Sequence, residues 1–163
     1  MAGYNLALEA ALLFEKYDEV NTARANAIAE RMDVLSTNLE TLQALLSKLS
    51  IDGKDGEVDY SQDPEMIALI DLVRQIGNAQ QSGAAEKIVL VEENTYGWSK
   101  KSLDALQDRL NNFINRVLTP KMTQFTTEMT QNQHEMNTIL EVDSNMLKEQ
   151  KNLIERINQR IGR

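Results

Sequence analysis

The side chains that could perform chemistry are few, because the sequence contains a single histidine and no cysteine. His134 lies between Asn132 and Met136, on the side of a predicted helix that faces away from its apolar positions. One imidazole without cysteine ligands does not make a structural zinc set. A histidine that faces solvent is usually neither a catalyst nor a ligand. The sequence therefore predicts no active site at His134.

A calcium loop is the other chemical possibility, suggested by the Asp and Gly residues at positions 51–56. If Gly56 takes the sixth position of such a loop, Ile51 is first and Gly53 third, where oxygen ligands are required. The other carboxylates are spread along helix surfaces beside Lys and Arg, which is typical of solvated charge. There is no Gly-rich phosphate loop and no Gly-flanked serine. We therefore expect a non-enzymatic protein without a metal site or a cofactor.

Composition restricts the fold and the partners further. The chain has 163 residues and a formal net charge of −8, and only 5% of it is aromatic. Few glycines and prolines with many Leu, Ala, Glu and Gln residues favour long helices. Phosphate contacts need clustered Lys and Arg, so we expect no nucleic-acid partner. No apolar run approaches the roughly 18 residues of a membrane helix, so no membrane span is predicted.

The N-terminal part, residues 5–50, lacks Pro and Gly and predicts one long coiled-coil helix. Its later apolar residues alternate in steps of four and three, which is a heptad seam: Ile28, Met32, Leu35, Leu39, Leu42, Leu46 and Leu49. An earlier stripe follows a different phase: Leu6, Leu13, Tyr17 and Val20. We expect this earlier stripe to face a different neighbour.

Residues 51–98 form a predicted middle segment that begins with turn residues. Asp63 before Pro64 predicts the start of a helix over 64–76, which Gly77 should end. The β-type run at 87–91 predicts one short strand or extended segment. A single strand needs a partner to be stable.

Residues 99–161 predict a second coiled-coil helix, capped by Ser99 and kinked near Pro120. After the kink, apolar residues form a seam: Met129, Met136, Ile139, Met146, Leu153 and Ile157. Asn132, Asp143 and Gln150 occupy seam positions and should fix its register. The predicted fold is therefore mainly all-α: a single domain, 1–163, in which the terminal helices pair as a long antiparallel coiled-coil hairpin around a small mixed insertion.

A second apolar stripe beside this seam repeats every seven residues: Leu140, Leu147, Ile154 and Ile161. Two adjacent stripes give a helix more apolar face than one partner helix can cover. Both stripes could face the interior of one multi-helix bundle. Alternatively, one closes the hairpin and the other packs against a second chain, with the N-terminal stretch around Leu6 and Leu13 as its complement.

The segment 96–112, which reads YGWSKKSLDALQDRLNN, and the segment 129–137, MTQNQHEMN, carry a family resemblance. In these residues and in its helix layout the chain resembles the hydrophilic needle-tip and filament proteins of bacterial type III secretion systems, the EspA-like and IpaD- or LcrV-like group. The resemblance implies a secreted or cell-surface structural subunit. Its implied partners are copies of itself, needle or translocator proteins, and an export chaperone.

A second function stays open from the same residues. An intracellular helical export chaperone or gatekeeper, in the bacterial cytoplasm, could offer the apolar stripe to a client helix. Secretion separates the two functions, because a chaperone stays in the cell.

Overall fold

The computed structural model describes residues 2–79 and 88–161, and within them the side chains of residues 11–160 apart from Asp55 and Asn158. Its elements are α1 (Ala2–Asp52), a 3-10 turn (Gly53–Asp55), β1 (Val58–Asp59), α2 (Pro64–Ala79), β2 (Gly97–Trp98), α3 (Lys100–Phe113), a π-helical turn (Ile114–Leu118) and α4 (Thr119–Ile161). Helices dominate, and the predicted mainly all-α fold is confirmed. Among these described residues, none of the helices is both long enough and apolar enough to cross a membrane.

The chain divides into two compact units, and α1 and α4 each contribute to both. The core unit is Arg31–Gln124, and the hairpin unit combines Met1–Glu30 with Phe125–Arg163. Because α1 leaves the hairpin unit at Glu30 and α4 enters it at Phe125, the two helices run through that unit in opposite directions.

The core unit buries apolar side chains from three helices: Leu35, Leu42, Leu45 and Leu49 of α1, Met66, Ile70, Val73 and Ile76 of α2, and Leu103, Leu106, Leu110 and Phe113 of α3. The predicted seam of α1 from Met32 to Leu46 therefore belongs to the core unit, whereas the predicted C-terminal seam lies in the hairpin unit. Only Ile28 of the α1 seam shares a unit with that C-terminal seam. The second half of α1 therefore shares the core unit with α2 and α3.

Helix α2 begins as its residues predict and ends later. Asp63 Oδ1 accepts hydrogen bonds from the backbone N–H groups of Glu65 at 3.0 Å and Met66 at 3.1 Å, which caps the helix. The helix continues past Gly77 to Ala79, so the predicted end at residue 76 is wrong. A Cβ atom at Gly77 would lie 3.1 Å from Ile88 O and from Leu90 Cγ. Gly77 therefore allows close packing of the chain onto the helix instead of ending it.

The only sheet in the described residues pairs two short strands outside the predicted strand region. Val58 pairs with Trp98 and Asp59 with Gly97, antiparallel. Of the predicted segment 87–91, residue 87 lies outside the described residues, and residues 88–91 form no strand. Leu90 and Val91 are buried, and the carbonyl oxygens of Val89 and Leu90 face the Arg109 guanidinium at 3.4 Å. In a strand, these two carbonyls would accept hydrogen bonds from the backbone of a neighbouring strand. Here they face the side chain of Arg109 instead.

Pro120 lies just after the π-helical turn. The Thr119 N–H donates to Ile114 O, five residues earlier, so the backbone is wider here than in an α-helix. Proline lacks an N–H, and its ring would collide with the carbonyl group four residues before it. The wider turn relieves this conflict, and the helix resumes at Thr119 as α4.

Candidate functional site

Three large apolar side chains of α4, spaced seven residues apart, are exposed to solvent. Leu140 is 61% exposed, Leu147 59% and Ile154 58%. They form the second stripe that the sequence predicts, and the side chain of its fourth member, Ile161, lies outside the described residues. An exposed apolar stripe of this length is uncommon on a soluble surface and marks candidate interaction sites.

The register of the hairpin unit explains which residues α1 covers. The Asn132 side chain donates from Nδ2 to Asn21 O at 3.0 Å, which places these two residues at the same level. Counting equally in opposite directions from this level pairs Phe14 with Ile139, and both are half-buried. Met129, Met136 and Met146 are half-buried as well. α1 therefore lies against the seam of α4 and leaves its second stripe uncovered.

Two residues of the predicted α4 seam are not covered by α1. Leu153 is 60% exposed and Ile157 46%, so their predicted place inside the hairpin is wrong. The register puts Lys151 level with the start of α1 at Ala2, so no described residue of α1 lies opposite Leu153 or Ile157. Both side chains instead extend the exposed apolar surface next to Ile154.

The polar seam residues differ in their surroundings. Asn132 is fully buried, and its Oδ1 atom has no hydrogen-bond partner. Asp143 is half-buried, and Gln150 is exposed. A buried amide that is only partly satisfied lowers the stability of a helix pair, while favouring the one register in which its hydrogen bond forms. Asn21, its buried partner, was not predicted from the sequence.

A second exposed apolar stripe runs along α1. Leu13, Tyr17 and Val20 are each exposed by more than half, and the side chain of the fourth predicted member, Leu6, lies outside the described residues. The residues of α1 that turn inward are Phe14, Asn21, Ala25 and Ile28, which continue the phase of the later seam back towards the start of the helix. Phe14 and Ala25 were not identified, because one is flanked by other apolar residues and the other is small.

An ion pair shows which sides of the two helices are neighbours. Arg24 Nη1 lies 3.4 Å from Glu135 Oε2, and both side chains are about half exposed. Side chains on a helix lean towards its N-terminus. Arg24 therefore leans towards Asn21 and Glu135 towards Asn132, so the two side chains meet near the level of the Asn21–Asn132 hydrogen bond. Such an exposed pair adds little stability, about 0–1 kcal/mol. Its value is geometric, because it joins one flank of α1 to one flank of α4.

Polar chemistry in the core unit is structural. Arg74 donates from Nε to Glu92 O at 2.9 Å and from Nη2 to Thr95 O at 2.6 Å, and its guanidinium lies over the Tyr96 ring with 4.7 Å to the centroid. Asp71 pairs with the same guanidinium and accepts a hydrogen bond from the Tyr96 hydroxyl. All of these groups have partners, so the cluster fastens the segment before β2 onto α2.

A cleft lies between this segment and α3. It has a volume of about 280 Å³ and is lined by Trp98, Leu106 and Arg109, among others. Ligand pockets are typically about 300–1,000 Å³. The Arg109 guanidinium in this cleft already faces two backbone carbonyls, so it is engaged within the fold.

The described residues bring no metal-binding set together. His134 is exposed, on the outer side of α4. Within the parts of the chain that the structure describes, no three His, Asp or Glu residues are grouped so as to hold a metal ion. The two exposed apolar stripes of the hairpin unit are therefore the strongest functional candidates.

Comparison with protein-family models, with curated proteins and with solved structures finds no match to this chain in any of the three.

Proposed function

We propose that this protein is a non-enzymatic structural subunit that self-assembles through the apolar stripe of α4. Together with the resemblance of residues 96–112 and 129–137, this suggests a subunit of a type III secretion needle tip or extracellular filament, secreted or held at the bacterial surface. The observation that carries the proposal is the exposure of Leu140, Leu147 and Ile154 on one side of a helix whose seam is already occupied.

The stripe has enough apolar surface to drive association. Fully burying one Leu or Ile side chain contributes about 1.5–3 kcal/mol. Several such side chains lie in line on α4, since Leu153 and Ile157 adjoin the stripe. Part of that gain is offset by the entropy lost when two molecules associate. The difference between the free energy of burial and the entropy cost of association supports assembly that depends on protein concentration.

The segment that carries the resemblance marks the start of α3 in this fold. Trp98 is buried at the end of β2, and Ser99 has the extended backbone of an N-cap residue. The Ser99 hydroxyl contacts the Ser102 hydroxyl at 3.0 Å and makes no hydrogen bond to the helix backbone. The buried Trp98 thus anchors the beginning of α3, which supports the proposal.

The test is the mass of the full chain in solution as its concentration rises. Sedimentation equilibrium or light scattering should show species larger than a monomer, and Leu147→Gln/Ile154→Gln should return the protein to a monomer. Gln is a good helix former, so α4 should remain intact. Leu72→Gln is the matched control, because Leu72 is 49% exposed but lies in the core unit. It should leave assembly unchanged.

A native chain that stays monomeric at all concentrations would contradict self-assembly. A secretion assay in the native host tests the cellular role separately. Export of the tagged chain supports a tip or filament subunit, whereas retention in the cytoplasm contradicts that role and favours an export chaperone or gatekeeper.

A further inference from the structure

The last turns of α4 carry a groove that is open to solvent. Its described lining combines two aliphatic side chains, two guanidinium groups and one amide: Leu153, Ile157, Arg156, Arg160 and Gln159. This terminal groove has a volume of about 680 Å³. Because α1 starts at the level of Lys151, none of its described residues lies opposite Leu153 or Ile157. These two aliphatic side chains are therefore 60% and 46% exposed.

The terminal groove and the stripe of Leu140, Leu147 and Ile154 are centred on different sides of α4. An α-helix turns by about 100° per residue. On this basis the two aliphatic and two Arg side chains of the groove span an arc of about 100°, whose centre is about 130° from the centre of the stripe. A ligand can therefore occupy the groove while the stripe packs elsewhere, and an inference about the groove does not rest on the self-assembly proposed above.

The terminal groove is basic, although the chain as a whole has a formal net charge of −8. Its described lining contains two arginines and no carboxylate. Arg156 and Arg160 lie one turn apart and are exposed, and the ion pairs in the described part of the chain are formed by other residues. From Glu128 to Asp143, in contrast, every formally charged side chain of α4 is acidic. An anionic ligand is therefore attracted to the groove and repelled by the preceding part of the helix.

The two kinds of side chain in the terminal groove fit a ligand in which an anionic group adjoins an apolar chain. Guanidinium groups bind phosphate through paired N–H donors. A free phosphate ion, however, would leave Leu153 and Ile157 without a contact. A phospholipid with an anionic headgroup supplies both parts, because its acyl chains lie next to its phosphate. A helix whose apolar side is bordered by basic residues is typical of a contact with a membrane surface.

We infer that the terminal groove of α4 binds the surface of a membrane that contains anionic phospholipids. Leu153 and Ile157 enter the boundary between headgroups and acyl chains, and Arg156 and Arg160 bind lipid phosphates. The end of the helix lies along the surface without crossing it. The contact begins after Glu149, because this carboxylate lies on the same side of α4 two turns before Arg156 and is repelled by lipid phosphates.

Sedimentation of the full chain with lipid vesicles tests the inference, at a protein concentration at which the native chain is monomeric. Vesicles that contain phosphatidylglycerol should bind the chain at least about tenfold more tightly than vesicles of phosphatidylcholine alone. Leu153→Gln/Ile157→Gln should weaken this binding by about tenfold or more. Leu147→Gln/Ile154→Gln is the matched control on the stripe and should change it by less than about threefold. All four side chains are exposed, so both variants should fold, which circular dichroism checks.

Charge variants separate the groove from a general attraction between the basic end of α4 and lipid. Arg156→Gln/Arg160→Gln should weaken binding to the phosphatidylglycerol vesicles by about tenfold or more. Lys148→Gln/Lys151→Gln removes the same charge from the other side of the helix and should weaken it by less than about threefold. Equal losses from the two variants would refute the groove as the binding site.

The remaining outcomes concern the class of ligand and the independence of the two proposals. A native chain that assembles but does not bind the anionic vesicles refutes this inference alone, whereas one that binds them and never assembles contradicts only the proposed function. Equal binding to both kinds of vesicle refutes the role of the two arginines. Binding of soluble polyglutamate as tight as that of the vesicles would assign the groove to an acidic protein and refute the lipid surface. Complete displacement from the vesicles by millimolar inorganic phosphate would assign it to the free ion instead.

Discussion

The core unit and the hairpin unit use the same long helices in different ways. In the core unit, α1 contributes to a core with α2 and α3, and its buried side chains come from all three helices. In the hairpin unit, Ile28 is the only buried large apolar residue among the described side chains, and the seam of α4 is half-buried at most apolar positions. In a pair of helices, each helix covers the seam of the other, but the apolar side chains beside each seam stay uncovered.

The two units also differ in whether their buried polar groups have hydrogen-bond partners. Arg74, Tyr60 and Asp63 of the core unit each have hydrogen-bond partners. The most buried polar side chain of the hairpin unit, Asn132, has an oxygen without a partner. Among the described residues, the only buried side-chain polar atom without a partner therefore belongs to the hairpin unit and none to the core unit. The following variants test this difference, starting with the largest expected effect.

Leu110 and Leu147 are the same residue type on helical elements of the two units. Leu110 is fully buried, so Leu110→Ala should lower the free energy of unfolding by about 2–5 kcal/mol, through lost burial and the cavity left behind. Leu147→Ala should change it by less than about 0.5 kcal/mol in the monomer, because that side chain is exposed. Urea unfolding at low protein concentration measures both. Equal losses would show that the hairpin unit has a closed core of its own.

Asn132 gives an effect of intermediate size and opposite sign. Asn132→Leu removes the unpaired oxygen and adds apolar contact inside the helix pair, so the unfolding free energy should rise by about 1 kcal/mol. The single register set by the hydrogen bond to Asn21 O should be loosened at the same time. Disulfide trapping between engineered cysteines at Phe14 and Ile139 measures register, and its yield should fall. A large loss of stability would instead mean that the amide is fully satisfied.

Replacing Tyr60 should have an effect no larger than replacing Asn132, and this effect depends on pH. The Tyr60 hydroxyl donates to Asp52 Oδ2 at 2.9 Å, and burial, followed by this bond to Asp52, raises the pKa of Tyr60 well above its ordinary value of 10.0. The stabilisation is complete below pH 10 and is lost as the pH rises towards the raised pKa, since the unfolded state then ionises first. Tyr60→Phe should cost about 1 kcal/mol at pH 8.

The difference between Tyr60→Phe and the native chain should shrink as the pH rises above 10. Urea midpoints at pH 8 and above pH 10 measure this change. If the difference stays constant, the hydroxyl of Tyr60 does not stabilise the fold through its neutral form.

The sequence predicts the helices better than it predicts their partners. Apolar steps of three and four predict helices in both terminal arms, because this period depends only on the helix itself, and the mainly all-α fold is confirmed. The seams alone could not show that Met32 to Leu46 share the core unit with α2 and α3, since an apolar stripe has the same pattern against any neighbour. Leu153 and Ile157 continue the seam in sequence, but they lie beyond the first residue of α1 along the helix pair.

The residues that the sequence does not reveal depend on contacts between distant parts of the chain. Arg74 is held by hydrogen bonds to the backbone carbonyls of Glu92 and Thr95. Every residue has a backbone carbonyl, so the residue types at these positions do not reveal the contact. Gly77 resembles a helix end, although here it makes room for Leu90. The exposed stripe of α4 was visible as a second seven-residue repeat. Its position beside an occupied seam required the register set by Asn21 and Asn132.

Hydrogen–deuterium exchange as a function of protein concentration tests the central difference between the units most directly. Amides of the core unit, around Leu42 and Leu110, should be protected equally at all concentrations. Amides of α4 from about residue 147 to 160 should exchange fast in dilute solution and become protected as the concentration rises. Strong protection of residues 147–160 in a dilute monomer, or no change with concentration, would contradict the account.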